Sequence, residues 1–407
     1  MPADPHPPIA ASALKSLKLL GCLLCLAIVA SNFWSMSRWS ERRGVVDDLC
    51  YLRQAHLFQQ RGFAGLNTDI ALETDGYFQR LVTEAGHPEW RTAGFAMCHP
   101  PTAAGRLVIQ YPPGVGFLLA PFPEGHQVVP FYTAATLLVL LMALAAIGLA
   151  RSRAAILAAA GFGALALYFM INPAKASYSI APTMVVCAAA GFLTARLFRT
   201  GEERSRLWTT ALIGLLLGLS VNFRIPNLLL SAGYAAFFLI AFLLARDWCT
   251  FLRGALFGLG SVAGLVPTLI YNAINAGSPF ATTYGSGDVV PPDLSFSIVG
   301  EYLRDLQGLL IIATLMWIGV LLVRYRTREL WPVAAIVALN LAVNLGYFLS
   351  HPIYTQYYLM PLAMLSLWSL LFAYVMDDRV DPLLVPDALQ RSYAAAQSRD
   401  RSTRHRP

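Results

Sequence analysis

The chain has 407 residues, of which 57% are hydrophobic and 13% charged, and its mean hydropathy of +0.55 excludes an ordinary soluble domain. The formal charge of +7 raises nucleic acid as a partner, but the Lys and Arg residues fall in short clusters between apolar runs and form no single basic patch. They read as topology signals, so no nucleic acid is expected and the class is a multi-pass membrane protein.

Residues 1–14 hold four prolines and no apolar period, the composition of a disordered tail. Lys15 and Lys18 precede the apolar run 19–33; no clean small-residue cleavage site follows, and Trp34 and Trp39 sit where an interfacial aromatic belt belongs. A retained first span over about 16–36 is expected. Residues 37–126 are the longest hydrophilic segment between spans, a loop expected to carry helices and part of an active site. Within it, residues 110–122 are apolar but shorter than the roughly 20 residues a crossing needs. They are expected to lie flat or re-enter at the interface, with Pro113 opening a short helix and Pro121 and Pro123 ending it.

Further apolar runs follow at about 128–150, 154–171, 181–198, 207–223, 227–244, 255–274, 306–323, 332–349 and 357–375. The expected fold class is therefore an all-α integral membrane bundle of about ten transmembrane helices with a large first extracytoplasmic loop containing interfacial helices. Alternate connections carry the basic excess: Arg151 and Arg153; Arg196, Arg199, Arg204 and Arg206; Arg246 and Arg253; Arg324, Arg326 and Arg328; then the Arg-rich tail 377–407. The opposite short loops hold only Lys175, Arg224 and Arg304, which puts both termini in the cytoplasm and the first loop outside. The body runs over 15–376 between two cytoplasmic tails, with an outer connection at 276–305. Its glycines and a short helix at 297–306 suit either a mobile flap over a lipid-facing cavity or a passive connector.

Asp47 and Asp48 lie just beyond the first span. Ionised carboxylates at the mouth of a bundle stay hydrated while within reach of a lipid-borne substrate; equally, one of them suits the N-terminus of the helix that continues through Leu52 and Leu57. Residues adjacent on a helix point about 100° apart, so both readings stay open. Cys22, Cys25, Cys187 and Cys249 read as packing residues, whereas Cys50 and Cys98 share the outer loop, where an oxidising compartment permits a bridge. His56, His87, His99 and His126 lack metal-ligand spacing and read as structural.

Three stretches in this order resemble one family: Asp47-Asp48 with Tyr51 and Ala55, Tyr111-Pro112-Pro113-Gly114, and Gly277-Ser278-Pro279-Phe280-Ala281-Thr282-Thr283-Tyr284-Gly285. Together with the topology they resemble GT-C type membrane glycosyltransferases, the group of protein O-mannosyltransferases and lipid A aminoarabinose transferases. The resemblance implies a sugar taken from a polyprenyl-phosphate carrier and passed to a lipid, glycan or protein acceptor. The site would then face the periplasm or exterior of a cell membrane, such as the bacterial inner membrane. Family members commonly carry Asp-Glu where this chain has Asp-Asp, and some carry an additional soluble domain after the last span.

Sugar transfer of this kind needs a carboxylate base for the acceptor hydroxyl and positive charge for the departing phosphate. The resemblance makes Asp47 the base and Asp48 its orienter or a cation ligand. No cofactor is expected with certainty; a divalent cation is left open, for which one carboxylate is a thin site. Arg224, at the outer end of the fifth span, suits the phosphate, or else anchors that span by snorkelling. Lys175 is a second outer cation or a solvated one. Tyr111 and Tyr284 join the substrate-binding set through their stretches, and His351, Tyr354, Gln356 and Tyr357 lie between the last two spans as sugar-oxygen partners or belt residues. The alternative is a transporter or flippase of lipid-linked glycans, against which stand the absence of a sequence repeat and the near-absence of charges within the spans.

Overall fold

The computed structural model describes residues 8–41, 46–90, 98–170, 173, 177–199, 201–284, 291–293, 297–324, 330–351, 354 and 357–376. Among them the regular elements are helical, with a single isolated bridge between Pro101 and Leu107. In chain order they are α1 (Pro8–Met36), α2 (Val46–Arg61), α3 (Tyr77–Glu84), α4 (Gly114–Leu119), α5 (Val128–Leu149), α6 (Arg153–Met170) and α7 (Ile180–Leu197). There follow α8 (Glu203–Val221), α9 (Ala232–Ala245), α10 (Trp248–Ala276), α11 (Val299–Arg304), α12 (Leu306–Arg324), α13 (Leu330–Ser350) and α14 (Met360–Val375).

Each apolar run coincides with a helix: α1, α5 to α10, and α12 to α14. Among the described residues six helical segments are long and apolar enough to cross a membrane: Ser12–Met36, Val128–Leu149, Ile180–Leu197, Ile225–Ala245, Trp248–Ala276 and Leu330–Ser350. The apolar parts of α6, α12 and α14 are shorter, and α8 opens on Glu203 and Arg204. Among the boundaries that differ from expectation, two have a clear local cause. Helix α1 starts at Pro8, inside the stretch read as tail, where Pro opens a first turn readily and Ala10, Ala11, Ala13 and Leu14 favour helix. The helix expected over 297–306 stops at Arg304, because Asp305 is extended and its Oδ1 accepts from the Leu306 N–H at 2.6 Å, which begins α12.

The bundle is held by close backbone approach. A Cβ on Gly218 would come within 2.1 Å of the Ser261 carbonyl oxygen, and one on Gly264 within 2.4 Å of that of Leu215, so α8 and α10 touch backbone to backbone. Small residues do this where lipid supplies no hydrophobic drive between helices. Helix α14 is the centre: nearly all of it is buried, and Gly191 of α7 sits against Trp368. Buried hydroxyls in the bundle mostly bond within their own helix, as Thr194 does to the Ala190 carbonyl (2.7 Å) and Thr314 to that of Leu310 (2.7 Å).

The loop between α1 and α5 packs on one end of this bundle. The backbone N–H of Gly114, at the start of α4, donates to the Asn222 carbonyl at the end of α8 (2.8 Å). Asn222 also donates to the Gly264 carbonyl (2.8 Å) and accepts from Thr268 (2.7 Å). One residue thus ties α4, α8 and α10 together two positions before Arg224. Helix α4 is far too short to cross, and its Phe117 is half exposed beside Phe63, with their rings stacked 6.4 Å apart.

Candidate functional site around the acidic pair

The loop between α1 and α5 has a small polar core of its own. Arg53 is fully buried, and its guanidinium donates to Glu73 (2.7 Å) and to the Thr68 carbonyl (2.8 Å) and lies 3.0 Å from His99 Nε2. A buried charge persists only when paired and hydrogen-bonded in this way. His56 lies between two carboxylates, Nδ1 at 2.5 Å from Glu124 and Nε2 at 2.8 Å from Asp75, with its ring stacked on Tyr77 at 3.9 Å. A cavity of about 480 Å³ opens nearby, lined by Trp39, Glu41, Tyr77, Arg80, Glu84 and Glu124 among others.

Cys50 and Cys98 form a disulfide within the loop between α1 and α5, with Cα atoms 6.6 Å apart, inside the usual range for such a bond. His99 lies with them, but the group does not fit a metal: the sulfurs are joined to each other and the Arg53 guanidinium faces the imidazole nitrogen. The bridge links α2, which carries the acidic pair, to the segment leading to Tyr111, where the Gln110 N–H donates to the Cys98 carbonyl (3.0 Å).

The acidic pair divides its labour. Helix α2 already begins at Val46, so Asp47 and Asp48 both stand in its first turn, where the helix dipole favours negative charge, and the capping reading moves inward by a turn position. Asp48 is 2% exposed; its Oδ1 accepts from the Tyr178 N–H (3.0 Å) and the Ser177 hydroxyl (3.1 Å). It therefore pins the segment before α7 to α2, and those donors compete with the cation ligation expected of it. Asp47 is only partly buried, and its Oδ1 accepts from the Tyr111 hydroxyl at 2.5 Å. Its other oxygen has no hydrogen bond among the described residues.

Aromatic side chains wall this carboxylate. Tyr51 lies one helical turn after Asp47, 5.2 Å from the Tyr111 ring, and the Tyr284 ring meets Tyr111 edge-on at 6.2 Å. Burial above all, then the charge of Asp47 and the neighbouring phenol of Tyr284, raises the Tyr51 hydroxyl well above its ordinary range, while Arg224 acts in the opposite direction. Asp47 and Arg224 thus act on one buried phenol with opposite signs. Burial first, then Asp47, likewise pushes the Tyr111 hydroxyl far up, so it remains a proton donor throughout the physiological range.

Arg224 is extended in the turn between α8 and a short 3₁₀ helix, Ile225–Ser231. It donates to the Tyr357 carbonyl (3.2 Å), and its guanidinium carbon lies 5.9 Å from the centre of the Tyr358 ring. It is therefore turned towards the segment before α14, and the rest of its fork is uncommitted among the described residues. Tyr354 donates to Asp305 (2.7 Å), and burial and that carboxylate raise its hydroxyl to about 12. His351, just past the end of α13, stacks on the half-exposed Tyr347 of that helix (5.7 Å) and makes no described contact with the acidic pair. Lys175 and Gln356 lie outside the described residues, as do residues 285–290 and 294–296 of the outer connection.

Sequence reading missed Ser177 and Tyr178, which hold Asp48, and the His56 clasp, whose partners lie far away along the chain with no periodic signal. Tyr178 had one visible signal, being an aromatic in the outer turn beside Lys175. Fold and site together define an all-helical membrane protein with a carboxylate and an arginine gathered at the loop-covered end of its bundle. No protein-family model, curated protein or solved structure matches the chain.

Proposed function

We propose that this protein is a membrane glycosyltransferase that moves a sugar from a polyprenyl-phosphate-linked donor to a hydroxyl-bearing lipid, glycan or protein acceptor on the outer face. The reading takes all ten apolar helices as spans, with both termini in the cytoplasm. It rests above all on Asp47, a partly exposed carboxylate with one oxygen held by Tyr111 and the other without a hydrogen bond among the described residues, whose charge acts with that of Arg224 on the Tyr51 phenol.

In this reading Asp47 takes the proton of the acceptor hydroxyl as its oxygen bonds to the anomeric carbon. The bond from that carbon to the phosphate oxygen breaks, and the polyprenyl phosphate leaves with its added negative charge against the Arg224 fork. Asp48 holds the helix turn that aims Asp47, a positioning role in place of a cation site. The test is incubation of purified protein with a panel of polyprenyl-phospho-sugars, scoring released polyprenyl phosphate. Release dependent on Asp47 supports the reading; donor moved across a bilayer chemically unchanged supports the flippase.

A further inference from the structure

Tyr111 was expected among substrate-binding residues, yet its hydroxyl is already spoken for on both sides. It donates to Asp47 Oδ1 at 2.5 Å and accepts from the Gln110 side-chain amide at 2.8 Å, so the chain of donors runs in one direction and ends on the carboxylate. Raised by burial and by Asp47, the phenol keeps its proton. Gln110 is itself tethered: its N–H donates to the Cys98 carbonyl at 3.0 Å, and its carbonyl accepts from the Thr283 hydroxyl at 2.9 Å. Thr283 is 6% exposed, and its neighbour Tyr284 presses edge-on against the Tyr111 ring. The Tyr111 carbonyl is held separately by Gln54 Nε2 at 2.9 Å.

We propose that Tyr111 is a positioning residue for Asp47: the chain Gln110, Tyr111, Asp47, tethered by Thr283 from the segment after α10, fixes one carboxylate oxygen and leaves the other to face the acceptor. The proposal rests on Asp47 being the base. It assigns Thr283, more than 170 positions from Tyr111 along the chain, to the same function. It also accounts for the burial of Tyr111, whose hydroxyl is committed to Asp47 and Gln110.

The experiment is a cycle of Tyr111→Phe, Thr283→Val and the double variant, read as kcat and donor KM on purified full-length protein. Tyr111→Phe removes only the hydroxyl and is expected to lower kcat by about tenfold or more, with donor KM unchanged, as for a group acting only on the transition state. Thr283→Val is expected to lower kcat in the same direction, Thr283→Ser to restore it, and the double variant to be no worse than Tyr111→Phe alone. A raised donor KM with unchanged kcat in Tyr111→Phe would make it a substrate contact, and fully additive losses would break the chain; either result overturns the proposal. Thermal unfolding of Tyr111→Phe, Asp47→Asn and their double variant separates the two readings. Coupling between them in a protein that transfers no sugar retires the enzyme and the positioning role while keeping the contact, and no coupling rejects the chain in any case.

Discussion

The loop between α1 and α5 and the helical bundle solve the burial of polar groups in different ways. In the bundle, buried hydroxyls such as Thr210 and Thr314 bond to carbonyls of their own helix, neighbouring helices meet through glycines, and bonds between helices come from single side chains such as Asn222 and Thr194. In the loop the polar groups form a network that cross-links distant parts of the chain: Arg53 to Glu73, His56 to Asp75 and Glu124, Thr68 to Asn275 of α10. A span surrounded by lipid must satisfy its backbone internally. The loop has no such constraint, and a polar network fixes it in place at the end of the bundle. The candidate site lies where the two meet, and it draws Asp47 and Tyr111 from the loop and Arg224 from the bundle.

The contrast predicts where damage stays local. Arg53→Met leaves Glu73 buried without its cation, a loss of about 3–5 kcal/mol when a buried pair is broken from one side. Limited proteolysis is expected to cut the loop of this variant while the bundle stays intact; simultaneous loss of both regions in one transition would show a single cooperative unit and remove the distinction. Removing the Cys50–Cys98 bridge with a double Ser variant is expected to cost the loop about 2–4 kcal/mol, seen as earlier loop cleavage. Peptide mapping without reductant that found both thiols free in protein from an oxidising compartment would refute the bridge itself. Gly218→Val strikes the other region, where the new side chain meets the Ser261 carbonyl. It is expected to lower bundle stability by about 1–3 kcal/mol in detergent thermal melts, with loop proteolysis unchanged.

Hydropathy made the helices legible because a bilayer demands long apolar runs, and each such run is helical here. Ends were less legible: Pro8 starts α1 and Asp305 splits α11 from α12 through local hydrogen bonding that an apolar pattern does not carry. The acidic pair could be located but not resolved, since only packing decides that Asp48 turns inward to Tyr178 and Asp47 towards Tyr111. The disulfide was within reach because the outer loop holds only two cysteines. Arg53 and His56 were not, because each finds its partners across turns whose geometry no spacing rule records.

The central claim is that Asp47 is the reacting carboxylate and Asp48 its support. Turnover of purified Asp47→Asn at saturating polyprenyl-phospho-sugar tests it most directly. Asn keeps the shape and a hydrogen-bond acceptor for Tyr111 but cannot serve as a general base, whose contribution is typically about 10²- to 10⁴-fold. The account predicts a loss of that size with donor binding unchanged and a smaller loss in Asp48→Asn; near-normal turnover in Asp47→Asn would contradict it, and collapse only in Asp48→Asn would move the base to the buried residue.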